Sequence, residues 1–212
     1  MATKTTTETS PALADGARTQ RADARRNRRK VLDAARKAFA EDGLDVRVEK
    51  VARRAGVGVG TVYRHFPTKE DLLQALADDR FAGLAEAART ALDDPDAWNG
   101  FSEFMRYSAE VMAADLALSE AMDQRPEMCG QAAEDVKLLE IVGELIERAQ
   151  AEGTLRSDVV PEDVPSLICG LGRATRETEG RPSMSWERYL AIILAGLRPP
   201  ADAPPPASPA DS

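Results

Sequence analysis

The sequence predicts a protein built only of α-helices. Apolar residues recur every three to four positions along most of the chain, and no convincing run alternates apolar with polar residues as a β-strand does. Glycine or proline stands where several of these helical patterns end, at Gly43, Gly56, Pro67 and Gly153. A chain of 212 residues, 43% of them hydrophobic, is also long enough to bury a substantial core. We therefore expect an all-α fold.

Residues 43–69 predict two short helices joined by a tight turn. Asp45 is the expected N-cap of the first helix. Gly56 is expected to end that helix, because glycine adopts a positive φ at little steric cost. Val57 can then fill the corner between the two helices. The apolar face of the first helix has the spacing i, i+3, i+4 and i+7 and consists of Val48, Val51, Ala52 and Ala55.

The second helix of this pair is short and carries several hydrogen-bond donors. It begins near residues 58–60 and ends before Pro67, because proline disfavours helical geometry in the preceding Phe66. Hydroxyl, guanidinium and imidazole groups fall within about two turns of it. These groups belong to Thr61, Tyr63, Arg64 and His65. The segment therefore predicts a helix–turn–helix.

The run AGVGVGTVYRHFPTKEDLL follows a basic helix that ends in FAEDGLD. It resembles the N-terminal domain of TetR/AcrR-family transcriptional regulators, whose usual pattern is AGVSxGTLYxHFxxKExL. The resemblance covers roughly residues 25–75. It implies an N-terminal three-helix helix–turn–helix DNA-binding domain, followed by a C-terminal helical domain for ligand binding and dimerisation. Two positions depart from the family: Gly58 replaces a common Ser, and Arg47 replaces a Thr.

The resemblance also implies how residues of the motif contact DNA. Arg64 can bind guanine through both arms of its guanidinium, and Gly60 lets the backbone approach the duplex closely. A phenol, an imidazole and an ammonium group all donate to phosphate oxygens. The residues expected at base edges are Val59, Gly60, Thr61 and Arg64, and those expected at phosphates are Arg47, Gly58, Tyr63, His65 and Lys69.

Two of these features have simpler alternatives. His65, the only histidine, can be a core or capping residue instead of a phosphate contact. The basic run at residues 25–30 can be a solvated helix start instead of an electrostatic arm for DNA. Both alternatives remain open at the level of sequence.

Charge is distributed unevenly along the chain, whose formal net charge is -8. Between Arg18 and Lys69 there are 15 Lys/Arg against 6 Asp/Glu, a charge of +9. The rest of the chain has 13 against 30, a charge of −17. This distribution suits a protein that contacts a polyanion at one end while its remaining surface repels that polyanion.

Composition and resemblance together divide the chain into four parts. Residues 1–24 have almost no large apolar side chain and residues 199–212 are rich in proline, so we expect a disordered N-terminal arm and a disordered tail. Residues 25–75 are expected to form the DNA-binding domain. Residues 76–198 are expected to form the effector-binding and dimerisation domain.

Helix boundaries can be predicted at several points. The first helix is expected at residues 25–42, and a single long helix at residues 131–152. Thr68 is an expected N-cap, with Asp71 three residues later completing a capping box. A short helix is expected near residues 117–122.

The last two helices have the most regular apolar stripes in the chain. Such stripes either cover the core of one chain or form a contact between two chains. In the TetR/AcrR family, which this chain resembles, these helices form a four-helix bundle with their symmetry mates. The resemblance therefore implies a twofold homodimer. The expected interface residues are Leu167, Leu171, Trp186, Tyr189, Leu190, Ile193, Leu194 and Leu197.

In the same family, a small molecule bound among the body helices shifts the helix after the DNA-binding domain and releases the operator. Methionine-rich linings adapt to varied apolar ligands, so we expect a small apolar or amphipathic effector here. The alternative is that each lining residue only fills the core. The candidate lining is Phe81, Leu84, Phe101, Phe104, Met105, Met112, Met122, Met128 and Leu145.

The sequence argues against an enzyme. It has one histidine, placed in the DNA motif, and it has no glycine-rich phosphate loop, metal-ligand cluster or nucleophile elbow, so no cofactor or metal is expected. Cys129 and Cys169 lack C-x-x-C spacing and read as buried thiols or a redox pair. The longest apolar run, at residues 190–197, is too short to span a membrane, and a cytoplasmic protein is expected.

The expected function is therefore a transcriptional regulator, and a repressor in preference to an activator. The alternative is a DNA-binding module that has a protein partner or no effector at all.

Overall fold

The computed structural model describes residues 11–43, 45–114, 116–123, 125–175 and 185–200. The predictions for residues 1–10 and 201–212 lie outside this range. The described residues form ten α-helices and no β-strand, as the apolar spacing predicts. They divide into two compact units, residues 1–72 and residues 73–212.

The helices follow one another with short connections. The helices of the first unit, and the one that continues from it, are α1 (Pro11–Asp42), α2 (Val48–Ala55), α3 (Val59–His65) and α4 (Lys69–Leu92). Those of the second unit are α5 (Ala97–Ala114), α6 (Leu116–Asp123), α7 (Pro126–Asp135), α8 (Leu138–Ala151), α9 (Asp163–Thr175) and α10 (Trp186–Leu197).

In the first unit, α1 packs on both α2 and α3. The C-terminal half of α1 supplies an apolar face in which Val31, Leu32 and Phe39 are almost completely buried. Val51 and Ala52 of α2 close this core, as their helical spacing predicts. Helices as short as α2 and α3 are marginal alone, so this burial is what holds them in place.

In the second unit, α5 is the central helix and packs on α8, α9 and α10. Its buried residues Phe101, Phe104 and Met105 belong to one continuous apolar core. The end of α10 is tied to the start of α5, where the Arg198 guanidinium lies 3.8 Å from the centroid of the Trp98 ring.

The first helix begins earlier than predicted. It starts at Pro11 instead of residue 25, and residues 11–24 continue it. Proline is tolerated in the first turn of a helix, and a helix that is already nucleated extends at little cost through residues of good helix propensity. The scarcity of large apolar side chains in this segment therefore does not prevent helix formation.

The single helix predicted at residues 131–152 is two helices. The chain breaks at Lys137, whose φ of 56° is left-handed, and Lys137 is the N-cap of α8. An unbroken helix would place Ala132 and Leu138 about 120° apart around its axis. The break lets both residues be buried.

Candidate DNA-binding surface and ligand cavity

The turn between α2 and α3 has the predicted geometry. Gly56 has φ 67° and ψ 33°, and its N–H donates to the carbonyl oxygens of Ala52 and Arg53. The Val57 N–H donates to the Ala52 carbonyl oxygen at 3.1 Å, which completes a glycine-terminated helix end. A residue with a Cβ is strained at this φ, so glycine is required by the backbone alone.

The N-cap of α2 differs from the prediction. Arg47, with extended φ and ψ, occupies the cap position, and no side chain caps the helix. Asp45, the predicted cap, lies two residues too early for its carboxylate to take that role. The arginine is exposed at this end of α2.

Burial of two residues fixes the orientation of α3. Val62 is 1% exposed and Phe66 is 3% exposed, so this side of the helix faces the core. Val59 and Tyr63, one turn apart, are 36% and 45% exposed on another side. Gly60 and Arg64, also one turn apart, are exposed as well.

Ion pairs with α1 hold two of the basic residues on α2. Arg54 makes a two-pronged pair with Glu41, and Lys50 pairs with Asp42. The hydrogen bond from Arg54 is the main reason that the pKa of Glu41 lies below its usual value. Within the described residues, neither Arg53 nor Arg64 has a carboxylate partner. Their guanidinium groups therefore contribute positive charge to this surface.

The remaining candidate contacts are half-buried: Thr61, His65 and Lys69. The His65 ring lies 6.2 Å from the Phe66 ring, centroid to centroid, and is tilted by 52°. The Arg28 guanidinium lies 5.2 Å from the centroid of the same Phe66 ring. His65 thus has a packing role and an accessible edge, so both sequence interpretations are compatible with its position.

A capping box begins α4. The Thr68 N–H donates to Asp71 Oδ2 at 2.9 Å, and the Asp71 N–H donates back to Thr68 Oγ1 at 3.0 Å. The sequence predicts this pair. The box sets the start of α4 directly after Pro67, so α3 must end before that proline.

The second unit contains an apolar cavity of about 300 Å³ among α4 to α9. Among the described residues of its wall, Arg80 is the one cation, and it is 8% exposed. Arg80 Nη1 donates to Ser119 Oγ at 3.1 Å and to Met122 Sδ at 3.2 Å, and Nη2 donates to the Val111 carbonyl oxygen at 3.3 Å.

Five of the nine residues predicted to line an effector pocket lie on the wall of this cavity. Phe81, Leu84, Phe104, Met112 and Met122 are on the cavity wall. Phe101, Met105 and Leu145 are not on it, because they are buried in the core around α5. Met128 is buried but also lies off the wall.

The sequence interpretation missed Arg80 and the contribution of α9. A signal for Arg80 exists: it shares one helical stripe with Leu73, Ala77 and Leu84, which marks an arginine on a buried face. Cys129 and Cys169, both half-buried, also lie on the wall.

The predicted interface residues on α9 and α10 fall into two groups that differ in burial. Leu171, Leu190 and Leu197 are buried within one chain, so they cannot form the predicted contact between chains. Their side of each helix faces α5. The other predicted residues, Leu167, Trp186, Tyr189, Ile193 and Leu194, are only partly buried. Ile192, which was not predicted, is 55% exposed.

Two family models match the chain. Residues 31–76 match the model described as bacterial regulatory proteins, tetR family, and residues 94–199 match the C-terminal domain of SbtR-like transcriptional regulators. A solved TetR transcription regulatory protein from Mycobacterium vanbaalenii is 38% identical, with a TM-score of 0.64, over 84% of this chain and 99% of that one. The chain belongs to the tetR family. It is thus a member of a family of DNA-binding transcriptional regulators that form dimers.

Other relatives agree with this assignment. A solved TetR transcriptional regulator from Streptomyces coelicolor is 31% identical, with a TM-score of 0.62, over 82% of this chain and 99% of that one. An HTH-type transcriptional regulator of Staphylococcus aureus is 42% identical over 53 residues, which are 24% of this chain. That match spans 29% of the curated relative's length, less than a third of it.

No described helix has the length and apolar character needed to cross a membrane. Across the same residues, no group of three or more His, Cys, Asp and Glu side chains is arranged to hold a metal ion.

Arg64→Ala is expected to weaken binding to the operator by about 1–3 kcal/mol, because two-pronged pairing with guanine carries that discrimination. Arg64→Lys is the matched control, since it keeps the charge but loses the planar fork. The lysine variant should keep the salt dependence and lose the base preference. Titrations with operator and with random DNA at several salt concentrations measure both effects; an equal loss on both DNAs contradicts base contact.

Gly60→Ala separates a DNA contact from a folding requirement. A Cβ added at Gly60 meets nothing within 4 Å inside the protein, so the free energy of unfolding should be unchanged or up to about 1 kcal/mol higher. If the backbone approaches DNA here, the added methyl should lower operator affinity about tenfold or more, or about 1.4 kcal/mol. Urea unfolding and DNA titration of the same sample give both values. Full operator affinity would rule out a close approach at this residue.

Proposed function

We propose that this protein is a transcriptional repressor that binds a near-palindromic operator as a twofold dimer and is released by a small-molecule effector. The observation that carries the proposal is the orientation of α3. Its buried side is fixed by Val62 and Phe66, which leaves Arg64, Tyr63 and Gly60 accessible on a surface rich in arginine.

The proposed contacts follow from this exposure. Val59, Gly60, Thr61 and Arg64 would face base edges in a major groove, and the basic and hydroxyl groups around them would bind phosphates. Arg54 and Lys50 of α2 are paired with the carboxylates of Glu41 and Asp42, so we do not count them among the phosphate contacts. We therefore assign the phosphate contacts to Arg47, Tyr63, His65 and Lys69 and to the backbone at Gly58.

The proposed dimer contact uses the outer sides of α9 and α10. Apolar surface on those sides is not used by the monomer core, and Ile192 at 55% exposure is the largest example. Two helix–turn–helix units in such a dimer would bind half-sites about 34–36 Å apart, one turn of the duplex.

The proposed effector site is the cavity in the second unit. Its wall includes Phe81 and Leu84 of α4, the helix that begins at the capping box of Thr68 and Asp71. A ligand that rearranges this wall can change α4, and a change in α4 can alter the spacing of the two helix–turn–helix units. Repression would then be relieved.

Sheared genomic DNA incubated with the full chain should yield a small set of enriched fragments. We expect these fragments to contain an inverted repeat with half-sites about one helical turn apart. Arg64→Ala, run in parallel, should lose the enrichment and retain weak capture of all DNA. If the chain binds every genomic fragment no more tightly than it binds heparin, the proposed function is refuted.

Ile192→Asp should convert the dimer into monomers. The side chain is exposed in the isolated chain, so the change leaves folding intact while it buries a charge in the proposed interface. Ala82→Asp on the exposed side of α4 is the matched control and should remain dimeric. Sedimentation velocity with circular dichroism distinguishes dissociation from unfolding. A dimeric Ile192→Asp variant would place the interface elsewhere.

A further inference from the structure

The wall of the cavity in the second unit is mostly apolar, and Arg80 is buried on it. Around the rest of the wall, Phe81, Leu84, Phe104 and Val142 present hydrocarbon. A guanidinium that is 8% exposed is unusual at such a position, because burial of a charge is costly unless the charge is well solvated by the protein.

We propose that the cavity binds an amphipathic monocarboxylate, whose carboxylate pairs with Arg80 and whose apolar body fills the space between α4, α5 and α9. This inference rests on the proposed effector function of the cavity and names the chemical class of its ligand. The first step of the argument is charge complementarity: a guanidinium has five N–H donors in a planar fork that matches a carboxylate.

The second step concerns the present partners of Arg80. Ser119 Oγ, Met122 Sδ and the Val111 carbonyl oxygen are neutral acceptors, and Arg80 has further contacts besides these. Thioether sulfur is a weak acceptor, so the bond to Met122 is the one that a carboxylate most readily replaces. A carboxylate would also place a full negative charge opposite the guanidinium, which none of these three neutral acceptors supplies.

The third step concerns neighbouring hydroxyl groups. Ser108 and Ser119 are both on the wall and both buried. The Ser108 hydroxyl donates to the Phe104 carbonyl oxygen at 2.8 Å, and the Ser119 hydroxyl donates to the Met112 carbonyl oxygen at 3.4 Å, so both protons are already engaged. A carboxylate only accepts hydrogen bonds, and its head group is therefore assigned to the N–H donors of Arg80. In contrast, α7 and α8 contribute apolar wall in Ala133, Leu138 and Val142.

The size of the cavity limits the ligand. At about 30 Å³ for each water-sized unit, a volume of about 300 Å³ holds roughly ten non-hydrogen atoms. Octanoate, an eight-carbon carboxylate, matches this size and is a suitable probe. It has two matched controls with the same chain: 1-octanol, which lacks the charge, and octyltrimethylammonium, which reverses it.

The test is calorimetric titration of the full chain with these three probes below micelle-forming concentrations. We expect octanoate to bind at least tenfold more tightly than 1-octanol, equivalent to about 1.4 kcal/mol, and octyltrimethylammonium to bind more weakly than either. If 1-octanol binds as tightly as octanoate, the carboxylate assignment is overturned.

Variants at Arg80 test whether its guanidinium is the group that binds the carboxylate. Arg80→Met should abolish the preference for octanoate over 1-octanol, and Arg80→Lys should keep part of it. Arg148→Met is the matched control: Arg148 is half-buried off the cavity wall, where it donates to the carbonyl oxygen of Asp94 at 2.8 Å. It should keep the full preference. If Arg80→Met fails to fold, the wild-type comparison of head groups and the lysine variant still decide the question. An unchanged preference in a folded Arg80→Met overturns the role of Arg80.

Operator titration with each probe separates this inference from the proposed function. Octanoate that binds and lowers operator affinity supports both. Octanoate that binds with no effect on operator affinity supports the ligand class and contradicts effector release. Failure of all three probes to bind overturns the ligand class, while recovery of specific genomic fragments still supports DNA binding.

Discussion

The burial of Val62 and Phe66 against α1 is the constraint on which the DNA-binding surface depends. A helix of seven residues has almost no stability alone, so α3 exists because its inner side is packed. The packing decides which residues are accessible: with Val62 and Phe66 inside, Tyr63 and Arg64 must be outside. The αL conformation of Gly56 and the capping box at Thr68 then fix both ends of the arrangement. The exposure of the residues proposed to contact bases is thus a consequence of core packing.

In the second unit, the residue that bears most on function is Arg80, a charged residue buried in an apolar region. Arg80 is held by acceptors from the end of α5 and from α6, so its position depends on three helices at once. Replacing it by a well-packed apolar residue need not destabilise the fold, since the burial of a charge has a large desolvation cost. Its place on a cavity wall therefore favours a role in binding over a role in stability.

The sequence predicts those parts of the structure that local chemistry determines. The all-helical class, the turn at Gly56, the buried face of α2 and the capping box of Thr68 and Asp71 each depend on residues within one or two turns of one another. The break at Lys137 is not predicted, because a lysine in the left-handed region carries no local signal and is held there by the burial of residues on either side.

The other errors have a common physical cause: an apolar stripe does not specify what covers it. Leu171, Leu190 and Leu197 have the spacing of an interface, yet α5 of the same chain covers them. Phe101 and Leu145 have the character of a ligand pocket, yet they face the core. Arg80 follows Asp78 and Asp79, which suggest a solvent-exposed turn of helix, whereas its stripe with Ala77 and Leu84 indicates a buried face. The local sequence therefore gives two opposed signals, and the contact with Ser119 of α6 shows which of them holds.

The proposed release of the operator sets how strongly the ligand must prefer one state of the protein. A shift from 99% of one state to 1% requires a ligand to prefer the released state by about 5.5 kcal/mol, and a twofold dimer with two sites divides this into about 2.7 kcal/mol per site. Apolar contacts that are alike in both states add affinity and no preference. A charge-assisted hydrogen bond contributes about 1.5–3 kcal/mol, which is the amount required from each site if it forms in only one state. Arg80 lies on α4, the helix that also begins at the capping box beside α3. In the proposed mechanism, a carboxylate bonded to Arg80 in only one state would supply the preference for that state, and the apolar wall would supply affinity.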